Sequence, residues 1–391
     1  MSLNPQATTL EAAIEQAHVL VTTGAGGVGK TTTAAAIGLA AARRGRRVLV
    51  VTIDPARRLA QSMGLEALDH EVRQVDLGNF AGPMRAGPDG SPGELWASML
   101  DMQTTFDQLI DRHAATSEAA KNIRENRIYK TLSSSLAGTH EYMAMERLYE
   151  LHVSGEWDLV VVDTPPTRSA LDFLDAPQRM TSFLEGKLLR TLLKPAMATG
   201  KGYLKVVGLG TNALLKMAGK VTGMELLTDL ASFFRNFEGM YEGFKERADA
   251  VLELLQDPDS RFVIVASPEP PPLAEAKFFL ERMEQEGLHA AGVVVNRTHP
   301  EVLGAAPDAD LVRAAEQLDA QQPAIAGVLR VLADTRSISE RERREVEAAL
   351  YGRRLTALVE VPLMRGDVHD LETLASIAET LAPWPPQTDP T

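Results

Sequence analysis

A doubly wound, mostly parallel α/β sheet carrying a phosphate-binding loop, with a helical subdomain inserted at its ligand edge, is the fold that three features of this sequence predict. Short β-branched runs alternate with long helical stretches, the pattern of parallel strands joined by helical crossovers. The apolar run His18–Val21 leads through Thr22 and Thr23 into Gly24-Ala-Gly-Gly-Val-Gly29-Lys30-Thr31 and then an alanine-rich stretch. This places G-x-x-x-x-G-K-[ST] between a strand and a helix, the context its chemistry requires. Finally, Asp101–Tyr149 and Gln178–Leu255 read as helical and are too long to be simple crossovers.

Taken in order, the predicted strands are Val19–Thr22, Val48–Ile53, Leu159–Val162, Phe262–Ala266, Gly292–Val295 and Leu358–Val361. Several lack polar alternation, which predicts burial on both faces. Helices are expected over Thr31–Ala42 and Ala56–Met63, and the Gly/Pro-rich segment Ala81–Gly93 reads as a surface loop. The resulting organisation assigns 1–100, 151–177 and 256–382 to the core and 101–150 and 178–255 to the inserted helices. The proline-rich residues 383–391 are expected to be a disordered tail. There is no tandem repeat and one phosphate-loop motif.

With 391 residues and 45% hydrophobic content the chain can bury a substantial core. A formal net charge of −13 argues against nucleic acid as a partner, because nonspecific binding needs a broad basic footprint. The absence of cysteine excludes disulfides, thiolate metal sites and cysteine nucleophiles, and suits a reducing compartment. Met1–Gln16 lacks a basic region followed by an apolar one, and no apolar run reaches the ~20 residues that cross a bilayer. A soluble, cytoplasmic protein is the expectation.

The loop chemistry follows from charge. Backbone N–H groups across Gly24, Gly26, Gly27, Val28 and Gly29, with Lys30, Thr31 and Thr32 opening the helix, are arranged to embrace a polyphosphate. Lys30 is expected to reach the β- and γ-phosphates and the Thr31 hydroxyl to ligate Mg²⁺. The magnesium shell needs a second carboxylate at a neighbouring strand end. Asp163 closes Leu159-Val-Val-Val-Asp163-Thr-Pro-Pro-Thr167 and is the candidate; helix capping is its alternative role. Asp54 ends Val48-Leu-Val-Val-Thr-Ile-Asp54-Pro in the same way. It is a candidate to orient or activate the attacking water, or else caps the helix that follows.

These residues carry a family resemblance. Gly24–Thr32, Asp54-Pro-Ala56, Asp163-Thr-Pro-Pro-Thr167 and Ala137–Tyr149 resemble the ArsA-type ATPases, over roughly residues 18 to 380 and most closely their bacterial branch. That family includes the arsenite-pump ATPase and the cytosolic ATPases that deliver tail-anchored membrane proteins. The resemblance implies ATP and Mg²⁺ as ligands and a dimer with two facing nucleotide sites. It also makes Asp54-Pro-Ala and Asp163-Thr-Pro-Pro switch loops whose closure reshapes the helical subdomain. It further implies that Asn296 reads adenine, that Pro362 and Leu363 in Val361–Asp367 pack on the base, and that Glu269 approaches the partner's nucleotide.

Two departures qualify the likeness. Members of the family usually carry a second lysine that reaches across the dimer, where this chain has Ala25. Slow hydrolysis, substitution by Arg57, Arg58 or Arg168, and pairing with a lysine-bearing paralogue are the three explanations, so both homodimer and heterodimer stay open. The missing cysteines exclude thiolate capture of arsenite and a cysteine-ligated zinc, and no zinc is expected.

Thr181–Met224 carries Lys187, Arg190, Lys194, Lys201, Lys205, Lys216 and Lys220 against Glu185 alone on the acidic side, interleaved with leucines and methionines. An apolar, lysine-rimmed groove of this kind suits a hydrophobic client helix or an anionic membrane surface. Its alternative is plain helix-on-helix packing with solvated lysines. The leading expectation is an Mg-dependent ATPase acting as a dimeric switch for such a client. Others are a weakly hydrolysing scaffold or regulatory subunit, an anion-pump energising subunit, and a small-molecule kinase.

Overall fold

The computed structural model describes residues 9–53, 58–78, 85–87, 90–114, 116–127, 129, 139–164, 241–300, 308–353, 355–364 and 366–383. In chain order the elements are α1 Glu11–Gln16, β1 Val19–Thr23, α2 Lys30–Arg43, β2 Arg47–Thr52, α3 Arg58–Ser62, β3 Arg73–Gln74 and β4 Glu94–Met99. They continue with α4 Met102–His113, α5 Ser117–Glu125, α6 Thr139–Val153, β5 Leu159–Asp163, α7 Tyr241–Gln256, β6 Ser260–Ala266 and α8 Pro270–Glu286. Last come β7 His289–Thr298, α9 Asp308–Leu318, α10 Pro323–Leu350, β8 Leu358–Pro362 and α11 Leu371–Leu381. The chain divides into two compact units, one of residues 1–100, 151–170 and 255–391, the other of 101–150 and 171–254.

The first unit holds an eight-stranded sheet in the order β3-β4-β2-β5-β1-β6-β7-β8, parallel throughout except for β3 against β4. All six predicted strands are present. The expected apolar runs in β1 and β5 are buried at every position, as strands covered on both faces must be. One face packs on α1, α2, α3 and α11, through Leu20, Val50, Val161, Val265, Val294 and Val359. α2 can lie close to the strands because its contact face is alanine and glycine. A Cβ on Gly38 would sit 2.5 Å from Val50 Cγ2. On β6 and β7 lies α8, which also packs against α10.

Two strands were not foreseen. β4 has Leu95 and Ala97 in the core and Trp96 partly exposed, and its polar Glu94 and Ser98 break up the apolar residues. β3 has two exposed residues. β4 is fixed to β2 by side chains as well as by the ladder: the Arg47 guanidinium lies 5.8 and 4.9 Å from the Trp96 and Trp157 ring centres, and its Nε is 3.0 Å from Glu94. Within the Gly/Pro-rich segment expected as a loop, Ala86 and Pro92 form an isolated antiparallel bridge.

In the second unit α4 and α5 begin at side-chain caps, Asp101 accepting from the Thr104 N–H at 2.6 Å and Thr116 from the Ala119 N–H at 3.1 Å. Phe106 and Tyr129 pack ring to ring, with centres 5.1 Å apart. Glu146, buried at 2% exposure, accepts from Arg247 Nε at 2.8 Å and lies 3.6 Å from Arg112. The stretch Thr181–Met224 lies outside the described residues, as does the tail from 384 onward. No helix among the described residues is long and apolar enough to cross a membrane.

Candidate functional site

The site lies at the carboxyl ends of β1, β5 and β6. β1 ends at Thr23, and the chain turns through Gly24 to Gly29 into α2. Gly24 has φ 146° and sits so close to the end of β6 that any Cβ would collide with the Val265 carbonyl, so glycine is required there on two counts. Gly29 caps α2 in the left-handed region at φ 100°. The amino end of a buried fourteen-residue helix therefore points at the loop, a favourable field for anions.

Lys30 is 6% exposed and turns back over the loop, its Nζ donating to the carbonyls of Gly24 and Ala25 at 2.9 Å each. A phosphate oxygen is a stronger acceptor for an ammonium than a neutral carbonyl, so this grip is one that an entering polyphosphate can take over. Thr31 is partly exposed at the first turn, and its hydroxyl makes no hydrogen bond to another described residue.

Asp163 is fully buried, and the register places it beside Thr22 of β1 and Thr52 of β2. The Thr52 hydroxyl donates to Asp163 Oδ2 at 2.9 Å. Thr164 donates to the Thr22 carbonyl at 2.8 Å and Thr22 to the Val162 carbonyl at 3.2 Å. This threonine network ties the ends of three adjacent strands together. The Thr31 hydroxyl at the helix start and the buried, oriented Asp163 carboxylate are hard oxygen donors, the chemistry that fits magnesium with a nucleotide phosphate. Asp54, Arg57 and Arg168 lie outside the described residues, as does the Arg58 side chain.

Of the remaining candidates, Asn296 is drawn to the loop itself: its Nδ2 donates to the Val28 carbonyl at 2.8 Å. Pro362 ends β8, and Leu363, half exposed, donates its N–H to the Thr298 carbonyl at 2.9 Å beside β7. Glu269 is exposed at the amino end of α8, accepting from the Ser267 hydroxyl at 2.9 Å. One carboxylate that sequence reasoning passed over is Glu275 on α8. Partial burial raises its pKa while the Lys30 charge pulls it down, which places it within the electrostatic reach of the loop. Nothing in the local pattern of a helix distinguishes such a residue. Thr52 was legible only as a strand end.

A parallel sheet whose central strand feeds this loop into a buried helix, beside a buried strand-end carboxylate, defines the P-loop nucleotide hydrolases. Residues 17–323 match the family of anion-transporting ATPases, and the chain belongs to this ArsA-type family of ATP hydrolases. It is 28% identical over 294 residues to a protein of Halobacterium salinarum named as an arsenical pump-driving ATPase, the match covering 74% of this chain and 37% of that protein. It is 26% identical over 275 residues to the ATPase get3 of Aspergillus terreus, covering 70% and 71% of the two chains. With the ATPase get3 of Schizosaccharomyces japonicus the identity is 25% over 302 residues, covering 76% and 80%.

Proposed function

We propose that this protein is a magnesium-dependent ATPase that works as a dimeric nucleotide switch, coupling ATP binding and hydrolysis to the capture of a hydrophobic, tail-anchored-like protein segment. The observation that carries the nucleotide half of this reading is Lys30 folded over a loop of backbone amides, with the buried Asp163 in register beside β1. Lys30 and the loop amides bind and orient the triphosphate. Thr31 and Asp163 hold Mg²⁺, which would neutralise charge developing on the phosphoryl oxygens. Asp54 orients the attacking water. Asn296 reads the adenine, Pro362 and Leu363 pack on the base, and Glu269 approaches the partner's nucleotide. The client half is supported by the lysine-rimmed apolar sequence Thr181–Met224 and by the resemblance to relatives named ATPase get3.

Purified protein with magnesium and ATP is expected to release phosphate, and chelation of the metal, Lys30→Ala or Asp54→Asn to stop it. Co-expression with a tail-anchored client tests the other half: deletion of Thr181–Met224 is expected to end capture while leaving a folded protein. Capture that survives the deletion would leave that segment a purely structural role.

Ala25 favours a second reading, a slowly hydrolysing subunit that pairs with a lysine-bearing paralogue. A cation supplied across an interface is worth ~10³–10⁵ in rate in P-loop enzymes. Ala25→Lys is therefore expected to raise turnover of the purified protein by on the order of 10²-fold or more. A turnover unmoved by this substitution would discard the trans-cation argument.

A further inference from the structure

Thr52, the last residue of β2, reaches the carboxylate assigned to magnesium. Its hydroxyl donates to Asp163 Oδ2 at 2.9 Å, and both side chains are buried, at 2% and 0% exposure. The sheet dictates this meeting. Thr52 and Asp163 are register partners in parallel strands, and Val50 and Val161, two residues earlier on each, lie in the core cluster that includes the α2 alanines. Side chains alternate along a strand, so Thr52 and Asp163 emerge on that same face, the one that α2 covers. The following residue holds the main chain as well: the Ile53 N–H donates to the Asp163 carbonyl at 3.2 Å. The end of β2 thus grips Asp163 at its backbone and at its side chain.

The chemical consequence is orientation. A buried carboxylate needs hydrogen-bond donors to remain charged, and a metal ligand works through the partners that fix its direction. Thr52 suits this role because its branched Cβ restricts χ1. The hydroxyl therefore comes from a set direction and occupies one carboxylate oxygen, which fixes the plane in which the group is presented. We propose that Thr52 is a positioning residue that aims Asp163 at magnesium while touching neither metal nor nucleotide itself. The proposal rests on the reading of Asp163 as a magnesium ligand, and adds that its aim is set from β2.

Calorimetric titration of ATP, once with magnesium and once with EDTA, measures how much the metal strengthens nucleotide binding. Thr52→Val keeps the shape and removes the donor, whereas Thr52→Ser keeps the donor. In Thr52→Val the gain in ATP affinity on adding magnesium is expected to shrink about tenfold, the lower end of what removing a metal ligand's outer partner costs. Affinity for ATP in EDTA is expected to stay at the parent value, and Thr52→Ser to keep the magnesium gain. A gain in Thr52→Val equal to the parent's would overturn the proposal. So would an equal loss of affinity with and without metal, which marks a purely structural hydroxyl, or a serine variant that behaves like the valine one. Should Thr52→Val fail to fold, Thr52→Cys, whose thiol is a weak donor, takes the same titrations. If the parent itself gains nothing from magnesium, the assignment of Asp163 to the metal fails and the proposal with it; a parent gain that Thr52→Val retains condemns the proposal alone.

Discussion

Lys30 and Glu146 are buried charges of opposite sign, one in each unit, and the protein stabilises them by different means. Lys30, 6% exposed, donates to two neutral backbone carbonyls of its own loop. Glu146, 2% exposed, is met by the guanidinium groups of Arg247 and Arg112, and Arg112 pairs in turn with Glu150 at 2.6 Å. Lys30 also lies within electrostatic reach of the Glu275 carboxylate, whose pKa burial raises and the Lys30 charge pulls down. Glu146 has formal counter-charges, and through them its cluster joins α4, α6 and α7. The difference is between a charge bonded to its own loop and one locked among helices by arginines.

If that distinction is right, the two residues fail differently when removed. Lys30→Ala is expected to have the largest effect, lowering ATP turnover roughly 10²–10³-fold, the cost of deleting one preorganised electrostatic donor. The unfolding midpoint should move less, because the substitution removes a buried charge together with its two hydrogen bonds. Glu146→Ala should do the reverse, costing about 2 kcal/mol of stability. That is below the ~3–5 kcal/mol for breaking a fully buried pair, because Arg112 is 41% exposed and keeps Glu150. Chemical unfolding followed by hydrogen exchange in α6, alongside phosphate release, measures both. A Lys30→Ala protein that hydrolyses ATP normally, or a Glu146→Ala protein of unchanged stability, breaks the comparison.

What could be read in advance tracks how local the signal is. β1, β5 and the loop were legible because unbroken apolar runs and a glycine pattern each express one constraint within a few residues. β4 was not, since an edge-side strand needs only a short apolar stretch and Glu94 and Ser98 bound Leu95, Trp96 and Ala97. Asp163 was legible as an acid at a strand end, but its hydroxyl partner Thr52 depends on which strands become neighbours. Asn296 shows the limit most plainly. Its hydrogen bond is to Val28, 268 residues earlier, and no spacing announces that contact.

The smallest effect tests the second unit from within, through pH. His113 lies beside the same two arginines as Glu146. Burial first, and the charges of Arg247 and Arg112 after it, lower its pKa below the ordinary 6.5. Below 6.5 the unfolded chain takes up that proton before the folded one does, so the contribution of His113 to stability is lost as pH falls toward its folded pKa. For Glu146 burial is the leading cause and raises the pKa above the ordinary 4.5, against the pull of Arg247 and Arg112. Above 4.5 the folded chain holds the proton longer, so the contribution of Glu146 declines as pH rises. The two slopes have opposite signs, that of His113 acting below 6.5 and that of Glu146 above 4.5, and each single variant exposes the one that remains. Relative to the parent, His113→Gln is expected to gain stability on acidification through these ranges and Glu146→Gln to lose it. Urea midpoints for the three proteins at several pH values measure this, and parallel profiles would mean that neither group titrates differently in the folded unit.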